Sequence, residues 1–202
     1  MIASINFATL LIGGVLMAIL YSMSVRPAAL EKKIGPRAYK RCGTYRSLAS
    51  IFMLTITANY ILYHWYPLQF DPFPRTFAWP YWVSALIAVV IAIPCVYLEV
   101  LSYKAAKSET LLPDKSHTLY TGIYEKIRHP MAVGEVPLWW VIAFLVNSPF
   151  LVVFSFIWIP VWYWWCVVEE QDLVVRYGVP YIQYQKRTGM FWPKKSAANH
   201  HS

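Results

Sequence analysis

Apolar residues in this chain come in long runs. Five stand out, at about residues 5–24, 48–66, 81–103, 131–146 and 150–168. A spanning helix needs roughly 20 apolar residues, and four of the runs reach that length or nearly so. The fourth is shorter. Only Asn147, Ser148 and Pro149 separate it from the fifth, which predicts a tight helical hairpin. The first run offers small residues for close helix packing, Gly13, Gly14 and Ala18. The third holds Pro94 at mid-depth, a kink that neighbouring helices can accommodate. Gly178 suits the end of the last long helix, and Pro180 the start of another. Tyr181 and Tyr184 share a face of that short helix, which could close over its neighbours like a cover. The predicted fold is an all-α polytopic membrane protein with five transmembrane helices and a short cytoplasmic C-terminal helix.

The connecting segments sort by charge. Seven Lys or Arg lie between the first two runs, five between residues 104 and 128, and five after Val168. Arg75 alone lies between the second and third runs, and none lies in 147–149. All but one of the 18 basic residues therefore fall on one side, which the positive-inside rule makes cytoplasmic. The N-terminus is then outside and the C-terminus inside, as an odd number of spans requires. The first run lacks a basic stretch before it and precedes a strongly basic loop, so it reads as a retained helix rather than a signal.

Composition agrees. The chain is 58% hydrophobic and 14% charged, against roughly 25% charged in a soluble domain. It has ten Trp and fifteen Tyr, residues that concentrate at membrane interfaces. Its formal charge of +8 is spread over cytoplasmic loops, which argues for a bilayer partner and against nucleic acid. Cys42, Cys95 and Cys166 suggest no disulfide and no metal site. Residues 1–107 are read as three membrane helices and 108–195 as a second, functional half. Residues 196–202 read as an expression remnant.

The first two runs carry almost nothing titratable. Polar residues gather in the second half. The stretch SHTLYTGIYEKIRHP (116–130) brings His117, Tyr120, Tyr124, Arg128 and His129. The stretch CVVEEQDLVVRYG (166–178) brings Glu169, Glu170, Asp172 and Arg176. An antiparallel hairpin at 147–149 sets these ends side by side, as a polar cluster at the cytoplasmic boundary. Glu169 and Glu170 are about 100° apart around a helix. One is expected at the site and the other on a basic partner or water. Glu135 lies five residues past Pro130 in the apolar direction, where a charge costs roughly 2.5–3.5 kcal/mol at full depth. It should have a partner or water. Glu99, near the end of the third run, is expected at the interface beside a loop lysine.

The ordered set G-I-Y-x-x-x-R-H-P, N-S-P, E-E-x-x-L-x-x-x-Y-G-x-x-Y-x-x-Y and Pro193 resembles the isoprenylcysteine carboxyl methyltransferase family and the related phospholipid methyltransferases. The likeness covers roughly residues 108–193 and is greatest to prokaryotic, archaeal-type members. It implies S-adenosylmethionine at the cytoplasmic face without a Rossmann domain, and S-adenosylhomocysteine as product. The implied cofactor contacts are His117, Thr118, Leu119, Tyr120, Tyr124, His129, Pro130, Met131, Ala132 and Glu169. Glu169, His129 and Glu135 are the catalytic candidates. The acceptor's apolar tail is expected against Trp139, Trp162 and Trp165. Two positions depart from the family pattern. Ala132 stands where an aromatic is usual, and Trp165 stands where prenylcysteine enzymes carry an Arg. The second departure bears on the substrate more than on the cofactor.

The implied activity is methyl transfer to a lipophilic acceptor, with a prenylcysteine-type carboxylate favoured. A phospholipid-type amine is the alternative. Another enzyme class stays open, a membrane sterol-type reductase holding NADPH through Lys186 and Arg187. A non-catalytic helical scaffold is the third reading.

Overall fold

The computed structural model describes residues 1–68, 73–106, 113 and 121–194. These residues are helical, with no strand among them. In order come α1 (Ile2–Ser24), α2 (Pro27–Ile34), α3 (Arg37–Leu62), α4 (Tyr81–Ala106), α5 (Ile123–Lys126), α6 (Pro130–Leu145), α7 (Pro149–Phe154), a 3-10 turn (Ser155–Ile157), α8 (Trp158–Tyr177) and α9 (Val179–Arg187).

Three helical stretches among the described residues are long and apolar enough to cross a membrane: α1, α4, and the 29-residue run Pro149–Tyr177 through α7 and α8. The chain is an integral membrane protein. The other two predicted spans fall on α3 and α6. Helix α3 has 26 residues, but Arg37, Lys40, Arg41 and Arg46 occupy its first half. Helix α6 is apolar but has 16 residues, about 24 Å of helix against a hydrocarbon core of about 30 Å.

Large apolar residues face outward, as a lipid solvent requires: Leu54 is 69% exposed and Ile93 66%. Some of the faces turned inward are small. Helix α4 buries Ser84, Ala88, Cys95, Ser102 and Ala106. Without a hydrophobic drive between helices, such residues let backbones approach and dispersion act. Helix α4 packs along α6 in this way, and α1 along α3. The second pair is pinned by Asn6, whose Nδ2 donates to the Asn59 carbonyl at 3.0 Å, and by Thr9, whose hydroxyl donates to Asn59 Oδ1 at 3.1 Å.

The turn at 147–149 forms as its sequence predicts. Asn147 takes a positive φ of 57°. Ser148 caps α7 by accepting from the Leu151 amide at 3.2 Å, and Pro149 opens the helix. The packing beyond the turn differs from a tight hairpin, because α6 lies mainly against α4 and touches α8 only lightly. Indole rings hold α6 and α8 apart, with Trp139 at 5.1 Å from Trp158 and 6.4 Å from Trp162. Buried polar groups there find partners: Trp158 Nε1 donates to the Tyr60 hydroxyl at 2.9 Å, which meets Ser155 Oγ at 3.2 Å.

Close approach of α4 and α6 depends on Gly134. A Cβ there would sit 2.5 Å from Glu99 Oε1 and 3.1 Å from the Cys95 carbonyl. Gly134→Ala should therefore lower stability by about 1–3 kcal/mol, the usual overpacking range, read as a lower midpoint of thermal unfolding in detergent. An unchanged midpoint would mean that the α4 contact is not made this closely.

Candidate active site

His129 stands at the N-cap position of α6 without a capping side-chain bond, and Pro130 occupies the first turn. Just before them the chain pairs with the segment that follows α9. Ile127 bridges Gly189 in parallel, the Arg128 amide donates to the Gly189 carbonyl at 2.8 Å, and the His129 amide donates to the Met190 carbonyl at 3.1 Å. The C-terminal segment thus straps the mouth of α6 to α9.

Glu170 is the hub of this corner. Arg128 grips both its oxygens, Nε to Oε1 at 2.6 Å and Nη2 to Oε2 at 3.2 Å. His129 Nε2 meets Oε1 at 3.0 Å, and Gln185 Nε2 donates to Oε2 at 2.8 Å. Arg128 Nη1 also donates to the carbonyls of Gln185 and Thr188. One carboxylate therefore ties α8 to the start of α6 and to α9. An ionised carboxylate only accepts, so His129 Nε2 carries the proton. The other ring nitrogen, Nδ1, lies 3.7 Å from Glu169 Oε2.

The helical step from Glu170 turns Glu169 into a cavity of about 760 Å³, within the usual range for small-molecule sites. The Glu169 side chain is 39% exposed. The other described candidates for the cofactor, Tyr124, His129, Pro130, Met131 and Ala132, line the same cavity. His117, Thr118, Leu119 and Tyr120 lie outside the described residues. Glu135 lines the cavity and accepts from Trp162 Nε1 at 3.2 Å. Glu99 does not line it and packs against Gly134 instead.

Trp162 and Trp165 form an apolar wall. Trp165 Nε1 donates to the Ala18 carbonyl at 3.2 Å, and its ring lies 4.3 Å from Tyr21. Trp139, grouped with these two by sequence, is placed in the interior against Tyr60 and Trp158 and does not line the cavity. Asp172 has a structural partner, accepting from the Ala28 and Ala29 amides at 3.0 and 2.7 Å and so fastening α2 to α8. Lys186 and Arg187 are exposed on α9 and do not line the cavity.

Gly178 ends α8 with a φ of 65°, and Pro180 stands in the first turn of α9, as expected. Tyr181 and Tyr184 are buried at the edge of the cavity. Burial pushes the Tyr184 hydroxyl up to about 12, with Arg128 opposing. It stays protonated and donates to the Tyr124 carbonyl at 2.5 Å. Among the described residues no group of three or more His, Cys, Asp or Glu could hold a metal ion.

Residues 81–179 match the family model described as phospholipid methyltransferase. That segment belongs to the phospholipid methyltransferase family. It runs from the first residue of α4 to the first of α9, and includes His129, Glu135, Glu169 and Glu170. The family is one of membrane methyltransferases, generally dependent on S-adenosylmethionine. No curated protein and no solved structure matches the chain significantly.

Several groups escaped the sequence reading. The Arg128–Glu170 pair had a signal, since both residues stood in recognised clusters, but their pairing needs the strap geometry. Tyr21 and Arg46 line the cavity from α1 and α3, and nothing local in the sequence marked them.

If Glu170 holds this corner, removing its charge leaves Arg128 buried without its counterion, which typically costs about 3–5 kcal/mol. Glu170→Gln should expose α9 and the strap to faster amide exchange over residues 179–190. Glu169→Gln should leave exchange there unchanged. Equal protection in both variants would remove Glu170 from this role.

Proposed function

We propose that the chain is an S-adenosylmethionine-dependent methyltransferase working at the cytoplasmic boundary of the membrane on a lipophilic acceptor. The supporting observation is convergence. Every described residue nominated for the cofactor lines one cavity, together with two of the three tryptophans nominated for the acceptor. The proposal includes five spans, with α3 and α6 crossing through neighbours that shield their short or charged ends. It also places the N-terminus outside and the basic loops, the C-terminus and the site in the cytoplasm. Residues 1–107 would supply three spans and 108–195 most of the cofactor contacts.

The donor set fits this group. Glu169 would accept from the cofactor's ammonium or ribose hydroxyls, bonds strengthened by its charge. Tyr124 and Tyr181 offer ring faces for the adenine or the sulfonium. His129, its Nε2 occupied by Glu170, would turn its Nδ1 edge to the cofactor. When bound, S-adenosylmethionine supplies a methyl group already activated on sulfur, so placement is the protein's main task. Holding reactants in line can supply roughly 7–11 kcal/mol.

Trp162, Trp165 and Tyr21 would hold the acceptor's apolar chain. A carboxylate acceptor, the favoured class, is ionised at neutral pH and needs no base. Glu135 supports a second reading. An amine acceptor must shed a proton, and Glu135 is the carboxylate on the membrane side of the cavity, anchored by Trp162. The NADPH reading draws less support, because Lys186 and Arg187 stand away from the cavity.

Calorimetry should detect S-adenosylhomocysteine binding and no NADPH binding. Losing a charge-assisted hydrogen bond costs about 1.5–3 kcal/mol, so Glu169→Gln should weaken binding about ten- to hundredfold. His129→Ala should weaken it as well. NADPH binding alone would sink the proposal. Methyl transfer from labelled cofactor to a carboxylate and an amine lipophile in liposomes would name the acceptor.

A further inference from the structure

The cavity stops at a matching layer on four helices. Its lining ends on α8 at Trp162, on α6 at Glu135, on α3 at Met53 and on α1 at Met17. One turn deeper, α8, α6 and α3 supply Trp158, Trp139 and Ile56, all members of the buried core. One turn deeper on α1 comes Gly14, where a Cβ would lie 3.3 Å from the Trp158 ring. Trp158 stacks on Trp139 at 5.1 Å and donates its indole N–H to the Tyr60 hydroxyl at 2.9 Å. Beneath the cavity there is therefore a closed aromatic plug, with no room for a further carbon.

The two ends of the cavity differ in chemistry. Glu169 and His129, candidates for the cofactor, stand at the polar end. Along α8, Glu169 and Trp162 are separated by two turns, about 10 Å. That interval is walled by Trp165 and Tyr21, whose rings lie 4.3 Å apart, and by Ala49 of α3. The floor itself is uneven. Glu135 has its Oε2 taken by Trp162 Nε1 at 3.2 Å. Met53 is 36% exposed and stands on the outer side, whereas Met17 is 1% exposed and stands inside, one turn below Tyr21. An unbranched thioether is a flexible, polarisable filler that packs well on aromatic rings. Met17 is thus the apolar group that a chain lying along Tyr21 and Trp165 meets at its tip.

We propose that Met17 is a specificity-determining residue: its side chain forms the stop at the closed end of the cavity and sets the longest apolar chain that the acceptor can seat inside the protein. This rests on the methyltransferase reading above. It assigns the limit on the acceptor to α1, outside the family-matching segment.

The test uses the full chain loaded with S-adenosylhomocysteine, in one fixed detergent. Calorimetry gives Kd for two homologous series short enough to stay dissolved in water, S-n-alkyl mercaptoacetates and n-alkylamines. Three variants stand beside the parent: Met17→Ala, Met17→Phe and Leu10→Ala. The last empties the core on α1 without touching the cavity lining. In the parent, each added methylene should tighten binding about fourfold while it is buried, up to a chain length at which the gain stops. Met17→Ala should move that break to longer chains, and Met17→Phe to shorter ones. Leu10→Ala should lower the unfolding midpoint and leave the break in place. S-adenosylhomocysteine affinity should be the same in all four proteins. If Met17→Ala fails to fold, Met17→Phe carries the test in the opposite direction.

A break that neither Met17 variant moves, with S-adenosylhomocysteine binding intact, overturns the role of Met17 and leaves the methyltransferase reading standing. A chain that leaves sideways past Met53 gives this result. An equal move in Leu10→Ala overturns the proposal as well, and so does a parent that binds neither series or shows no break. If the parent binds no S-adenosylhomocysteine, the methyltransferase reading fails, and this inference with it.

Discussion

The site depends on one buried carboxylate. Glu170 gathers a guanidinium, an imidazole and an amide, and these come from the start of α6 and from α9. Taking such charges from water is costly, and only near-complete hydrogen bonding offsets it. The arrangement meets that condition, since Arg128 spends its remaining donors on the carbonyls of Gln185 and Thr188. Everything at the corner takes its position from this knot. It sets the plane of the His129 ring, seats α9, and leaves the preceding residue, Glu169, facing the cavity. The more exposed of two adjacent acids thus becomes available to a ligand because the other is held.

Around this knot the protein follows the rules of a lipid solvent. Large apolar residues face outward, and inside, small faces on α4 sit beside an aromatic core whose Trp158, Tyr60 and Ser155 are hydrogen-bonded to one another. Asp172 extends the same logic to the surface by accepting from the first amides of α2. A helix start has unsatisfied amides that water or a side chain must meet. Here α8 provides that side chain two residues beyond Glu170. The surface helix and the site helix are therefore parts of one polar layer at the membrane boundary.

The cavity lies where that layer meets the aromatic interior. Its polar edge comes from α3, α5, α6, α8 and α9, and part of its apolar wall from α1 and α3. This division suits a reaction between a polar, water-borne donor and an acceptor with an apolar chain. It also explains why the family-matching segment describes only part of the chamber.

The sequence by itself determined the helical class, the membrane character, the turn at 147–149, the α8–α9 break at Gly178, and the residues converging on the cavity from α5, α6 and α8. Each is a local property, set by runs of apolar residues, by turn chemistry or by motifs of close spacing. Only the tertiary structure decided which glutamate is held and which is offered, because a 100° helical step has no absolute direction until a partner fixes it. It also decided that α6 lies along α4, since indole rings block approach to α8 while Gly134 permits it to α4. It moved Trp139 into the core and drew Tyr21 and Arg46 into the wall. Residues so far apart in the chain share no local pattern, and they meet only because small faces of different helices pack together.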